Sequence, residues 1–252
     1  MTSVAFAVSY RVMKKSFTNV SFLLPALMFP VIFFVGFAGA LTAVDQIPGF
    51  DYEPGYVTFQ FGFVLVQSAA MAGVFTGFGI AQDFERGFAR RLMIAAPRRS
   101  GIVVGYALAT MMRWVLNTLV VLAIGLLMGM EILGNGLDLF ALLLLGLTVN
   151  LIGILWASGV ALRLRSTQAG PIMQFPIFLV IFLAPVFVPI DLLTGWIHTV
   201  ASVNPFTAFI EGARSLLAGS TEEVAIAFAI GLPLAALFGF WALTGLRSAE
   251  RG

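Results

Sequence analysis

With 60% of its 252 residues apolar and only 10% charged, the chain departs from the roughly 45–50% and 25% of ordinary soluble domains. Too few charges remain to give its helices polar outer faces, so lipid is its natural solvent. A net charge of +2 argues for neither nucleic acid nor an acidic partner. The absence of cysteine, with His198 as the lone histidine, excludes thiolate chemistry, disulfides and His/Cys zinc sites.

Residues 1–19 read as an amphipathic helix on the inner membrane surface. Val4, Val8 and Val12 recur at i, i+4, while Arg11, Lys14 and Lys15 reach for anionic lipid headgroups. Ala38-Gly39-Ala40 has the small side chains of a cleavage site. The apolar run before it is too long for a signal peptide, however, and Pro25 and Pro30 interrupt it.

A spanning helix needs about 20 apolar residues to cover ~30 Å of hydrocarbon. Stretches of that length predict six spans, at about 20–43, 57–81, 105–129, 139–161, 171–190 and 224–246. In span two, Ala69, Gly73, Gly77 and Ala81 form a ridge of small side chains on which a neighbouring helix can pack closely. Arg113 is the one charge well inside a span, either facing a pathway or snorkelling to the headgroups.

Basic residues near span ends stay in the cytoplasm. Arg11, Lys14 and Lys15, the five arginines between Arg86 and Arg99, Arg163 with Arg165, and Arg247 with Arg251 all fall on one side of a six-span plan. The other side collects Asp45, Asp51, Glu53, Glu131, Asp138, Asp191, Glu211, Glu222 and Glu223 against Arg214. Both termini are therefore expected to be cytoplasmic.

Two segments between spans stand out. Segment 83–99 opens with Asp83 and Glu85, continues through an Arg-rich middle with an apolar Leu92-Met93-Ile94 patch, and meets a stop at Pro97. Alternation of arginines with Phe84, Phe88 and Leu92 suits a short helix that fills a pocket and is held by a charged rim. The plainer alternative is a loop that only sets topology.

Segment 192–219 contains 192–210, free of Lys, Arg, Asp and Glu but broken by Gly195, His198, Ser202, Asn204 and Pro205. It reads as re-entrant or interfacial, because a seventh span would move Arg247 and Arg251 outside. Asn204-Pro205 starts a helix running through Phe206, Glu211 and Arg214 and stopping near Gly219, with Glu211 and Arg214 three apart on one face.

Both lysines lack the glycine-rich approach of a P-loop. No span carries the several carboxylates of an ion relay, and the motifs of intramembrane proteolysis are missing. Active transport by this chain would need energy from elsewhere.

At DFERGFARRLMIAAPRRSGIVVGYALA (83–109) and NPFTAFIEGARSLLAG (204–219), the chain resembles the permease subunits of ABC-2 type exporters, including those of the daunorubicin-resistance and polysaccharide-export types. It departs from the Arg-Glu-x-Gly-Thr of many members, carrying Phe84-Glu85-Arg86-Gly87-Phe88 instead. The resemblance covers essentially the whole length.

It implies a single all-α transmembrane domain over 1–252, with six membrane helices, an N-terminal interface helix and outer re-entrant helices between spans five and six. Asp83, Phe84, Glu85, Arg86, Gly87, Phe88, Arg90, Arg91, Leu92, Pro97 and Arg98 would form the coupling segment for a separate ATP-binding cassette subunit. Asn204, Pro205, Phe206, Glu211 and Arg214 would belong to an outer gate. The chain would be no enzyme and hold no cofactor or metal, ATP and magnesium being bound by the partner. It would pair with a second permease in a bacterial plasma membrane, among lipids and without nucleic acid. The cargo expected is an amphipathic drug or lipid-like molecule. A polysaccharide or glycolipid cargo, an ATP-independent transporter or channel, and a non-transporting scaffold are the rivals.

Overall fold

The computed structural model describes residues 2–18, 20–95 and 99–251, which form ten α-helices joined by short links and, among those residues, no strand. In chain order these are α1 Thr2–Thr18, α2 Val20–Ala40, α3 Gly55–Glu85, α4 Phe88–Ala95, α5 Ser100–Leu127, α6 Gly136–Leu164, α7 Gly170–Phe182, α8 Trp196–Val203, α9 Pro205–Leu217 and α10 Val224–Arg251. Among the described residues α3, α5, α6 and α10 are long and apolar enough to cross a bilayer, and shorter apolar helix occupies Leu27–Ala40 and Thr167–Phe182.

The central element is α3, with α2, α5, α6, α7 and α9 packed around it. Its interior position explains the small-residue ridge. A methyl group on Gly73 would overlap the backbone of Gly153 and Ile154 in α6, and one on Gly77 would come within 2.6 Å of the Ala157 Cβ. Where two backbones meet this closely no flexible side chain can give way. Asn150 of α6 donates to the Ala69 carbonyl at 3.0 Å on the same seam.

Gly73→Ala is therefore expected to lower the thermal midpoint of the detergent-purified protein sharply, by about 2–3 kcal/mol of overpacking. Gly79→Ala, with nothing within 4 Å of the added methyl, should leave it unchanged or raise it slightly. Equal midpoints for the two variants would refute the close approach of α3 to α6.

Local chemistry sets the ends of the other helices. Asn135 caps α6, accepting from Leu137 and Asp138 N–H while the Asp138 carboxylate accepts from the Asn135 N–H. At α9 the Asn204 side chain accepts from Phe206 N–H at 2.9 Å, with Pro205 in the first turn. Asn204 also breaks the 192–210 run into α8 and α9. Eight and 13 residues of helix rise only about 12 and 20 Å, so neither crosses a bilayer.

The expected helix over 171–190 is shorter than its apolar run. α7 ends at Phe182, because Pro185 and Pro189 disfavour the helical conformation in the residues before them and offer no N–H to continue the ladder. Residues 183–189 continue without helix. Their carbonyls need partners from other elements.

Candidate functional site

The two unusual segments lie at opposite ends of α3, whose 31 residues rise about 46 Å. At the C-terminal end, Gly87 takes a left-handed φ of +70° and turns the chain from α3 into α4, a conformation that disfavours other residues. α4 buries Ala89 and Met93, one turn apart, and exposes Arg90, Arg91 and Ile94, with Ile94 84% accessible. Leu92 is half-buried beside the core. A short amphipathic helix thus offers two cations and an apolar side chain outward.

The acidic start of the segment turns elsewhere. Asp83 is buried, accepting from both Arg11 guanidinium nitrogens at 2.8 and 2.9 Å and from the Tyr106 hydroxyl. Lys15 lies 3.9 Å away and donates to Gln82 at 2.9 Å. The hydrogen-bonded Asp83 carboxylate raises the Arg11 pKa, whereas burial lowers that of Lys15.

The Arg11 guanidinium also covers the half-buried Phe88 ring at 3.5 Å. Arg11 is thus fixed against Asp83 and Phe88 with about a third of its side chain still exposed, 35%, and Val8 packs against Gly105 of α5. Phe84 is buried as well. Asp83 and Phe84 therefore hold the start of segment 83–99 against its own chain.

Glu85 and Arg86 are exposed. Glu85 accepts from the Thr167 N–H at 2.7 Å and from the Ser166 and Thr167 hydroxyls at 3.0 Å, tying the end of α3 to the α6–α7 link. Pro97 and Arg98 fall outside the described residues.

At the N-terminal end of α3 the central residue is Arg214, 2% exposed. It donates to the Pro185 carbonyl at 2.9 Å, to Val186 and Phe59 carbonyls at 3.3 Å, and to the Glu211 carboxylate at 2.8 Å. The Phe59 ring lies 3.3 Å beneath the guanidinium. Five donors in a rigid fork can serve several diverging acceptors, which lysine cannot.

Gln60 donates to the Val186 carbonyl at 3.1 Å, and the Tyr56 hydroxyl to that of Phe187 at 3.1 Å. Carbonyls left open where α7 breaks, those of Pro185, Val186 and Phe187, are thus satisfied by side chains of α3 and α9, as buried backbone outside a helix requires. Tyr52 donates back to the Arg214 carbonyl at 2.8 Å, and burial raises its pKa.

Phe206 and Asn204 are buried at the head of α9, and Pro205 is half-buried. Asn204 reaches the Val180 carbonyl of α7 at 2.7 Å. Asn204, Phe206 and Arg214 therefore form one block with the end of α7, Glu211 at its half-exposed edge. Tyr52, Tyr56 and Gln60 belong to this block too, although reading along the chain did not single them out. Gln60 and Gln67, the two amide side chains in the 57–81 run, were the available signal.

Arg113 is buried and donates to Ser16 Oγ, the Ala72 carbonyl and Thr76 Oγ1. Its guanidinium is enclosed by α1, α3 and α5. Among the described residues, no group of three or more Asp, Glu or His side chains could hold a metal.

The chain matches known proteins over most of its length. The profile of the ABC-2 family transporter proteins matches residues 40–246. The daunorubicin resistance ABC transporter permease protein DrrB1 of Streptomyces coeruleorubidus is 24% identical over 225 residues, spanning 87% of this chain and 76% of that protein. Matched from the end of α2 through most of α10, the chain belongs to the ABC-2 family and is a membrane permease subunit of an ABC transporter, with ATP hydrolysed by a separate ATPase.

Proposed function

We propose that the chain exports an amphipathic drug or lipid-like molecule, acting as one of two permeases driven by two ATPase subunits in a bacterial plasma membrane. In this arrangement α2, α3, α5, α6 and α10 cross as helices, the short α7 completes the sixth crossing together with the non-helical residues 183–189, both termini are cytoplasmic, and α8 and α9 form the outer cap. The observation that carries the proposal is the continuity of α3. One buried helix joins the outward-facing α4 surface to the Arg214 block about 36 Å away, taken from 24 residues at ~1.5 Å.

A push on α4 reaches α3 through Gly87 and reaches the α6–α7 link through Glu85. At the far end, Gly62 would place an added Cβ 3.1 Å from Arg214 Cγ, so a tilt of α3 bears directly on α9. Rigid packed elements transmit such shifts because their cores deform little.

An apolar cargo is supported by a cavity of about 210 Å³ among α6, α7, α9 and α10. Trp156, Phe206, Phe209 and Phe238 line it. Such walls suit hydrocarbon or aromatic surface and lack the dense hydrogen-bonding groups that select a sugar.

The test is uptake of an amphipathic fluorescent dye into inside-out vesicles containing the permease and its ATPase partner. ATP should drive accumulation, and replacing the P-loop lysine of the partner should abolish it. Uptake that persists without the ATPase would favour the secondary-transporter reading.

A further inference from the structure

Arg113 lies at membrane depth with an incomplete set of partners. Its three acceptors are neutral, its Nε has no hydrogen-bond partner, and no carboxylate among the described residues lies within ion-pair distance. A guanidinium in a low-dielectric interior demands an anion or a substantial solvation substitute.

Arg113 lines a cavity of about 30 Å³ between α1, α3 and α5. Arg11, Lys15 and Asp83 line it with Ser16, Thr76 and Tyr106. Asp83 is engaged by Arg11 and Tyr106. The lining thus carries three cations and one carboxylate. Lys15 and Arg11, at 25% and 35% side-chain exposure, mark the route from this cavity to the surface.

We propose that this cavity is an anion site for a phosphate group, with one phosphate oxygen inside near Arg113 and the remainder at the mouth between Arg11 and Lys15. The volume sets this geometry, because 30 Å³ admits one or two water-sized atoms rather than a whole phosphate. A phospholipid headgroup and a soluble phosphate offer the same oxygen. Bound there, it pairs with these cations and fastens α1 to α3 beside the α4 surface. Lys14, exposed on α1 and absent from the cavity lining, has no part in the site.

The measurement is the thermal midpoint of the full chain in phosphatidylcholine nanodiscs, with and without phosphatidylglycerol, and separately with added inorganic phosphate. For the wild type, anionic lipid or phosphate should raise the midpoint by about 5 °C at saturation. A rise with lipid alone assigns the headgroup, and a rise with inorganic phosphate assigns the soluble anion. Arg113→Gln should lose the rise and Arg113→Lys should keep part of it.

Should Arg113→Gln fail to fold, Lys15→Gln at the mouth must still reduce the rise by more than half. Lys14→Gln must preserve it. No rise with either anion, an undiminished rise in both Arg113→Gln and Lys15→Gln, or an equal loss in Lys14→Gln would overturn the proposal.

Discussion

Replacing Arg214 with leucine is expected to leave little folded protein. The substitution strips the Pro185 carbonyl of its partner, weakens the satisfaction of Val186 and Phe59, and leaves Glu211 unpaired. A buried carbonyl without a hydrogen bond costs about 1–3 kcal/mol. Loss of the guanidinium over Phe59 removes ~2 kcal/mol more where the pair is desolvated. The sum, on the order of 3–5 kcal/mol, approaches the ~5–15 kcal/mol that holds a typical domain together.

Arg214→Lys should give an intermediate result. One ammonium keeps the charge but cannot reach acceptors on α3, on the α7 extension and at Glu211 together. Glu211→Gln should also lower the midpoint, by less than Arg214→Leu, because the amide oxygen can still accept from the guanidinium but the buried Arg214 loses its counter-ion. Fluorescence-detected size exclusion with a temperature series orders the three variants. A monodisperse Arg214→Leu protein with the wild-type midpoint would show that the break after α7 is held by other contacts.

That break also shows how far the chain could be read without coordinates. The start of α9 was legible because Asn followed by Pro is a local signal, and Glu211 with Arg214 because i,i+3 spacing places both on one face. The further partners of Arg214 were not. They are carbonyls 28 and 29 residues earlier and in α3, and a backbone carbonyl carries no sequence signature.

Asp83 illustrates the same limit with a charge. Its place among the arginines of segment 83–99 suggested a docking surface, yet its partner is Arg11, 72 residues away. Which arginine reaches a carboxylate is decided by how α1 packs along α5 beside the end of α3, and that packing depends on Gly105 admitting Val8 of α1. The small-residue ridge was legible as a periodicity, whereas the identity of its partner helix waited on the packing of α6.

Reversing Arg90 and Arg91 together is expected to uncouple the permease while leaving it folded. Both side chains are exposed, and the anchors of α4, Ala89 and Met93, point to the opposite face. Surface changes away from packed features usually shift stability by no more than about 0.5 kcal/mol. The midpoint and yield of Arg90→Glu/Arg91→Glu should therefore match the wild type. Docking should not, because like charges placed across an interface cost several kcal/mol, or a weakening of more than ~100-fold.

Cargo-stimulated ATP hydrolysis by the complex would then fall to the basal rate of the ATPase. Ile94→Ala, removing an 84% exposed side chain, should weaken docking by about 1–2 kcal/mol if Ile94 fills a pocket on the partner. Asp83→Ala supplies the contrast, since it opens the Arg11 and Tyr106 cluster and should lower the midpoint as well as the coupling. Stimulated hydrolysis at the wild-type level in Arg90→Glu/Arg91→Glu would remove α4 as the coupling surface. The force on α3 would then have to enter through the exposed Glu85–Thr167 link, the next surface at that end of the helix.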